Sequence, residues 1–140
     1  MSRIFWDTNL FIYLLEGSGE LSKRVVHLRR GMLERGDQLL TSTFTLGEVL
    51  VKPLERQDDE LRRRYEEVIT ATALMIPFDV RAAGLYAALR CDRSLRPPDA
   101  IQLACAGAAG VDLFITNDSR LRSKHVSGIQ FIVPLDRAPL

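Results

Sequence analysis

Short apolar runs alternate along the chain with longer stretches in which apolar residues recur every three or four positions. The short runs predict strands at residues 4–6, 38–41, 74–76, 111–115 and 129–133. The longer stretches predict helices at residues 9–15, 18–35, 61–71 and 98–109, with two more beginning after Ser42 or Thr43 and after Asp79. Strands that alternate with helices predict an α/β fold with a mostly parallel sheet covered on both faces.

Glycine and proline indicate where several of these helices end. Gly36 suits the left-handed cap of the second helix, and Pro53 is expected to end the helix that follows the second strand. The last helix ends at Gly110, and from Ala100 to Ala109 it is apolar or small on nearly every side. Such a helix is expected to be buried.

The composition is typical of one ordinary globular domain, which we expect to span residues 1–140. A formal net charge of +1 neither indicates nor excludes a nucleic-acid partner. Cys91 and Cys105 lack metal-type spacing and are expected to be reduced thiols. No signal peptide is recognisable, and no apolar run approaches the ~20 residues needed to cross a membrane. We therefore expect a soluble, cytoplasmic protein with no membrane association.

Two acidic residues follow predicted strands directly. Asp7 comes after the first strand and Asp118 after the fourth, and each lies beside an amide and a hydroxyl side chain. The carboxyl ends of parallel strands meet at one edge of a sheet, where open α/β folds place their ligands. We therefore expect Asp7 and Asp118 to lie close together.

Two further acidic residues lie on helices that could reach the same edge. Glu48 shares a helix face with Phe44, Gly47 and Val51, where a carboxylate needs a partner or access to water. Asp99 begins the buried last helix, where the helix dipole favours a negative charge. On local evidence alone, Glu48 could equally be a surface residue and Asp99 a simple helix-terminal acid.

A cluster of carboxylates persists where protons or a cation neutralise it. Neither His27 nor His125 is suitably placed, and neither cysteine is, so an all-oxygen site for Mg²⁺ or Mn²⁺ is expected rather than a zinc site. Such an ion activates water and stabilises the extra charge of a pentacovalent phosphorus. The pattern therefore favours phosphodiester hydrolysis.

Four motifs in this order resemble the PIN domain, and within it the VapC-type toxins of bacterial and archaeal toxin–antitoxin pairs. They are Asp7-Thr8-Asn9, Glu48 in Thr-Leu-Gly-Glu-Val, Asp99 in Pro-Pro-Asp-Ala-Ile-Gln-Leu-Ala, and Thr116-Asn117-Asp118. The resemblance extends over essentially the whole chain. It implies a three-layer α/β/α sandwich and an Mg²⁺- or Mn²⁺-dependent endoribonuclease.

The resemblance also implies roles for the matching residues. Asp7, Asp99 and Asp118 would be the main metal ligands, directly or through water. Glu48 would complete the acidic quartet, either by holding metal-bound water or by helping to orient the attacking water. Asn9 would fix the carboxylate of Asp7.

Other polar residues would support this site. By the same resemblance, Thr116 or Asn117 would support the outer shell of the metal or the substrate. We also hypothesise that arginines just before the Asp99 motif steer the RNA backbone: Arg90, Arg93 and Arg96.

The same family resemblance implies a homodimer and inhibition by a small cognate antitoxin protein. One alternative within the fold is a housekeeping PIN nuclease of RNA maturation or flap cleavage. A non-catalytic RNA- or protein-binding module is disfavoured, because a pure binder has no need to concentrate acids against phosphate. A phosphatase or phosphotransfer receiver also groups Asp residues beside Mg²⁺, but the acidic pair after the first strand and the Lys-Pro-type motif of a receiver are missing.

Overall fold

The computed structural model describes residues 1–139. Its strands are β1 (Arg3–Trp6), β2 (Gln38–Ser42), β3 (Leu74–Ile76), β4 (Val111–Thr116) and β5 (Ile129–Pro134). Its α-helices are α1 (Thr8–Glu16), α2 (Gly19–Arg35), α3 (Thr43–Glu55), α4 (Asp59–Thr72), α5 (Val80–Leu89) and α6 (Pro97–Ala109). Short 3-10 turns follow β4 and β5, at Ser119–Leu121 and Leu135–Arg137.

The five strands form one sheet in the order β3-β2-β1-β4-β5, and every neighbouring pair is parallel. The prediction of a parallel α/β sheet is confirmed. From the central β1 the chain adds β2 and β3 on one side, and later β4 and β5 on the other. The direction of strand addition therefore reverses between β1 and β4, and such switch points open a crevice at the carboxyl ends of the strands.

Alternate residues of each central strand face opposite layers of helices, as the two-residue period of a strand requires. In β1, Ile4 and Trp6 pack with α1 to α4, whereas Phe5 packs with α5 and α6. Phe5 stacks on Phe114 of the neighbouring strand, with ring centroids 5.1 Å apart. Helices on both faces of the sheet form the predicted three-layer sandwich.

The buried helix α6 lies unusually close to the loop that leads into β5. A Cβ atom on Gly107 would lie 2.5 Å from the carbonyl oxygen of Ser127, and one on Gly128 would lie 2.0 Å from the carbonyl oxygen of Gly107. Gly128 also has a φ of 89°, which favours glycine. This contact fixes α6, and with it Asp99, against the sheet.

One predicted helix end is wrong. Pro53 lies inside α3, which continues to Glu55. The missing N–H of a proline removes one hydrogen bond, yet the last turn is closed by Arg56 N, which donates to Lys52 O at 3.1 Å. Asp58 N then donates to Pro53 O at 2.9 Å. Pro53 therefore marks the last turn of the helix rather than its end.

The remaining boundary differences are one or two residues and follow from caps. The side chain of Asp58 accepts a hydrogen bond from Leu61 N, so α4 begins at Asp59 rather than at residue 61. Helix α5 begins at Val80, directly after Asp79, whose side chain accepts a hydrogen bond from Ala82 N. Within residues 1–139, no helix combines the length and the apolar character needed to cross a membrane.

Candidate active site

A pocket of about 670 Å³ opens at the carboxyl ends of β1 and β4, at the switch point of the sheet. Asp7, Glu48, Asp99 and Asp118 all line it. Asp7 follows β1 and Asp118 lies two residues beyond β4, and Asp7 N donates to Ile115 O at 3.1 Å. The structure thus brings together the four acidic residues expected from the sequence.

The carboxylate of Asp7 is the most enclosed of the four and is held from several sides. Its Oδ1 accepts hydrogen bonds from Thr8 N at 2.9 Å and from Gln102 Nε2 at 3.4 Å. Its Oδ2 accepts from Thr116 Oγ1 at 2.8 Å. Burial raises the pKa of Asp7, an effect that these hydrogen bonds oppose and that the negative charges of Asp99 and Glu48 reinforce.

Glu48 is exposed at the wall of the pocket, but one oxygen of its carboxylate accepts a hydrogen bond from a neighbouring side chain. Thr8 Oγ1 donates to Glu48 Oε1 at 2.6 Å, and Gln102 Nε2 in turn donates to Thr8 Oγ1 at 2.9 Å. The structure therefore combines the two interpretations of Glu48 that the sequence left open, a surface residue and an acid of the site. The side chain reaches water, and it is also tied to the residue next to Asp7.

A buried polar network underlies this arrangement. Gln102 Nε2 donates to Thr45 Oγ1 at 2.7 Å, and Ser42 Oγ donates to the side-chain oxygen of Gln102. Gln102, Ser42 and Thr45 are almost completely buried. Because buried polar groups are costly when unpaired, this network fixes the positions of Thr8 and, through it, Glu48.

Asp99 and Asp118 face cationic side chains across the pocket. Arg120 binds both oxygens of Asp118, with Nε 2.9 Å from Oδ1 and Nη2 2.5 Å from Oδ2. The guanidinium of Arg120 holds the pKa of Asp118 below its usual range. Asp99 lies between two arginines, with Oδ2 3.7 Å from Arg96 Nε and 3.9 Å from Arg120 Nη2.

The donor set of the pocket fits a divalent cation in its chemistry. Carboxylate oxygens are the ligands that Mg²⁺ and Mn²⁺ take in proteins, and repulsion from Asp99 and Glu48 contributes to the raised pKa of Asp7. Among residues 1–139, no three His, Cys, Asp or Glu side chains are already arranged to hold an ion. Arg120 engages both oxygens of Asp118, so Asp118 could ligate a metal only after that pair loosens.

The supporting residues expected from the sequence divide into two groups. Thr116 is buried, and its hydroxyl donates to Asp7 while accepting a hydrogen bond from Asp118 N at 3.0 Å. Asn9 and Asn117 line the pocket, and Asn117 Nδ2 donates to Tyr13 OH at 3.2 Å. The hydrogen bonds to the Asp7 carboxylate in the described part of the chain come from Thr8, Gln102 and Thr116 rather than from Asn9.

Of the three arginines assigned to RNA steering, Arg96 alone lines the acidic pocket. Arg90 Nη1 donates to Leu95 O at 2.7 Å, which closes the loop between α5 and α6. Arg93 is exposed in that loop and is not among the residues of the pocket wall. The position of Arg90 thus favours a structural role.

Sequence reasoning gave no role to Gln102, Thr8 or Arg120. Gln102 had a recognisable signal, because it is the one long polar side chain between Ala100 and Ala109 of a helix expected to be buried. Thr8 belonged to the first motif without a role of its own. Arg120 gave no signal, because nothing in a chain of scattered arginines shows which of them folds back on an acid.

A protein-family model matches the sequence of this chain over most of its length. The family model described as "PIN domain" matches residues 4–126. No curated protein matches the chain significantly in sequence.

Solved structures share the fold at low sequence identity. VapBC2 from Rickettsia felis bound to promoter DNA has a TM-score of 0.71 and 13% identity, covering 94% of this chain and 98% of that one. DNA-bound VapBC from Salmonella typhimurium has a TM-score of 0.70 and 21% identity, covering 96% and 99%. A toxin–antitoxin complex from Klebsiella pneumoniae has a TM-score of 0.65 and 24% identity, covering 90% and 94%. By its family match over residues 4–126 and by its fold, the chain belongs to the PIN domain family.

Proposed function

We propose that this protein is a divalent-metal-dependent endoribonuclease and acts as the toxin of a toxin–antitoxin pair. The proposal is carried by the convergence of Asp7, Glu48, Asp99 and Asp118 on one pocket in a chain of the PIN domain family. A pocket lined by carboxylates repels a phosphodiester unless a cation lies between them. This electrostatic argument favours Mg²⁺ or Mn²⁺ as cofactor.

Asp7, Asp99 and Asp118 would hold the ion. When bound there, a divalent cation supplies a Lewis acid that lowers the pKa of water and stabilises charge on the transferring phosphorus. Thr116 and the backbone of Thr8 keep the Asp7 carboxylate in place, which reduces the reorganisation needed for binding. These hydrogen bonds therefore fix the orientation of the Asp7 carboxylate before an ion binds.

Glu48 is placed for a different task. Its carboxylate stands at the solvent-facing wall, held through one oxygen by the hydroxyl of Thr8 at 2.6 Å. The other oxygen has no hydrogen-bond partner within residues 1–139, so it can accept a proton from the attacking water or orient it. Arg96 beside Asp99 supplies positive charge at the rim, where the RNA backbone would approach.

The partner proposal rests on the solved structures of the same fold. Those from Rickettsia felis and Salmonella typhimurium are described as VapBC, and the one from Klebsiella pneumoniae as a toxin–antitoxin complex. We therefore propose a cognate antitoxin protein as partner. From the family resemblance we also propose a homodimer as the toxin's own assembly and residues 1–140 as one nuclease domain. With RNA as the proposed substrate, we also propose a cytoplasmic location.

RNA cleavage by the purified protein tests the proposal. With Mn²⁺ or Mg²⁺, the wild type should cleave a mixed panel of transfer, ribosomal and messenger RNA, and a chelator should abolish cleavage. Asp7→Asn and Glu48→Gln should each lower the rate about 100-fold or more, because each removes a charge that acts on the reacting groups. Asp79→Asn is the matched control, since Asp79 caps α5 away from the pocket and Asn is an equally good cap.

The proposed function is wrong if cleavage resists the chelator or if Asp7→Asn and Glu48→Gln cleave as fast as Asp79→Asn. Folded wild-type protein that cleaves no RNA in the panel with either metal also contradicts the proposed ribonuclease activity.

Co-expression with the protein encoded by an adjacent small gene tests the proposed partner. That protein should copurify with the wild type and suppress its activity.

A further inference from the structure

Arg120 holds a position that the proposed function does not use. It lies in the 3-10 turn that follows β4, and its side chain folds back so that Nε and Nη2 engage separate oxygens of Asp118. The backbone N of Arg120 also donates to Asp118 Oδ1 at 3.0 Å. Paired contacts of this kind between guanidinium and carboxylate are among the stronger hydrogen-bonded ion pairs.

The same guanidinium reaches a second acid of the pocket. Its Nη2 lies 3.9 Å from Asp99 Oδ2, so one cation faces two of the three carboxylates assigned to the metal. The side chain of Asp118 is 18% exposed and that of Arg120 is 52% exposed. The acid is therefore enclosed, whereas the arginine is free to move outward into solvent.

A carboxylate that donates its lone pairs to a divalent cation cannot keep both oxygens on a guanidinium in the same arrangement. Repulsion between two cations on one carboxylate adds to this conflict. The hydrogen bond from Asp118 N to Thr116 Oγ1 fixes the position of Asp118 after β4. The more exposed side chain of Arg120 is therefore the one that must move when an ion binds.

We propose that Arg120 is a built-in counter-cation that compensates the charge of Asp118 and part of that of Asp99, and that a divalent ion must displace it. This proposal rests on the proposed function, because it takes the acidic pocket as the metal site. Arg120 then sets the metal concentration at which the site fills. Without it the carboxylates are less compensated and bind the ion more tightly.

Calorimetric titration of Mn²⁺ into the purified protein tests this role. Arg120→Ala should bind Mn²⁺ about tenfold more tightly than the wild type, since the ion no longer has to break a charge-assisted pair. Arg122→Ala is the matched control. Arg122 lies two residues from Arg120, is exposed and does not line the pocket, so the change removes the same charge without touching the acids. It should change the affinity less than about twofold, through long-range electrostatics alone.

A thermal measurement gives a second, independent readout. Without metal, Arg120→Ala should unfold at a lower temperature than Arg122→Ala, because the carboxylates then repel one another without compensation. Saturating Mn²⁺ should raise the melting temperature of Arg120→Ala more than that of the wild type.

The outcomes separate this inference from the proposed function. If wild type and Arg120→Ala bind Mn²⁺ equally tightly, or if Arg122→Ala tightens binding as much, the counter-cation role is wrong while the metal site stands. If folded wild type, Arg120→Ala and Arg122→Ala all fail to bind Mn²⁺, the metal site itself is wrong, and the displacement role is overturned with it.

Discussion

The acidic residues of the pocket differ in their surroundings, and the differences assign them separate tasks. Burial and neighbouring negative charge raise the pKa of Asp7, whereas the guanidinium of Arg120 lowers that of Asp118. Asp7 is thus an acid kept at some cost in stability, and Asp118 an acid kept charged by an internal partner. Such opposed environments within one pocket are typical of functional sites.

Asp7→Asn should stabilise the folded protein at neutral pH. The pKa of Asp7 is raised by folding, so its effect favours the folded state at low pH and is lost as the pH rises through the raised pKa. The variant removes the buried charge, so its free energy of unfolding at pH 7 should exceed that of the wild type. Its advantage should shrink towards pH 4, where Asp7 is increasingly protonated.

Urea denaturation of the wild type and Asp7→Asn at both pH values measures this effect. A variant that is less stable than the wild type at pH 7 would show that the hydrogen bonds to Asp7 outweigh its repulsion and burial. Asp79→Asn again provides the control, because its carboxylate caps a helix end instead of lining the pocket.

Gln102→Leu should lower both stability and activity. The change nearly keeps the volume of the side chain, but it removes the acceptor of the buried Ser42 hydroxyl and one donor to the buried Thr45 hydroxyl. This loss costs about 1–3 kcal/mol of unfolding free energy. Thr8 also loses a hydrogen bond, so Glu48 is less firmly placed. We expect kcat for RNA cleavage to fall about tenfold with KM nearly unchanged, because Gln102 is buried at the floor of the pocket and positions other groups.

The control for this variant is Gln130→Leu, the same change at an exposed position of β5. It should leave kcat and stability close to those of the wild type. Equal losses in Gln102→Leu and Gln130→Leu, or a loss in KM alone, would contradict a positioning role for Gln102.

At the scale of elements, local sequence signals were sufficient for most of the fold. Gly36 does close α2 in a left-handed conformation with φ of 73°, and Ser42 does cap α3 by accepting a hydrogen bond from Thr45 N. The helix end predicted at Pro53 was wrong because a proline removes only one backbone hydrogen bond. The hydrogen bonds that follow Pro53 complete the last turn of the helix. Propensity and capping act over a few residues, which is why they predict elements better than they predict exact ends.

Helix α6 offers a test of how the elements are fixed against one another. Gly107→Ala should lower the free energy of unfolding by about 2 kcal/mol, because the new methyl group would press on the carbonyl oxygen of Ser127. Gly84→Ala in α5 is the matched change, since a Cβ there meets nothing within 4 Å. It should be neutral or stabilising by up to about 1 kcal/mol.

Thermal or urea denaturation of the two variants tests whether this contact stabilises the fold. Equal stability of Gly107→Ala and Gly84→Ala would mean that α6 can move away from the β5 loop at no cost. In that case the close contact would not be what holds Asp99 in place.

At the scale of the whole molecule, the sequence indicated which residues meet but not how they are arranged. Asp7 and Asp118 follow strands, so their shared edge could be predicted from the parallel sheet alone. The order β3-β2-β1-β4-β5 could not, because strand order depends on long-range packing that no local pattern records. The pairing of Arg120 with Asp118 likewise depends on the path of the chain beyond β4.

The central claim is that the carboxylates at this switch point hold a divalent ion. Anomalous diffraction from crystals of the wild type soaked in Mn²⁺ tests it most directly. We expect an Mn²⁺ peak within ligation distance of Asp7, Asp99 and Asp118, with Arg120 turned away from Asp118. Crystals of Asp7→Asn should show no such peak. A pocket without Mn²⁺, at a concentration where the protein cleaves RNA, would contradict it.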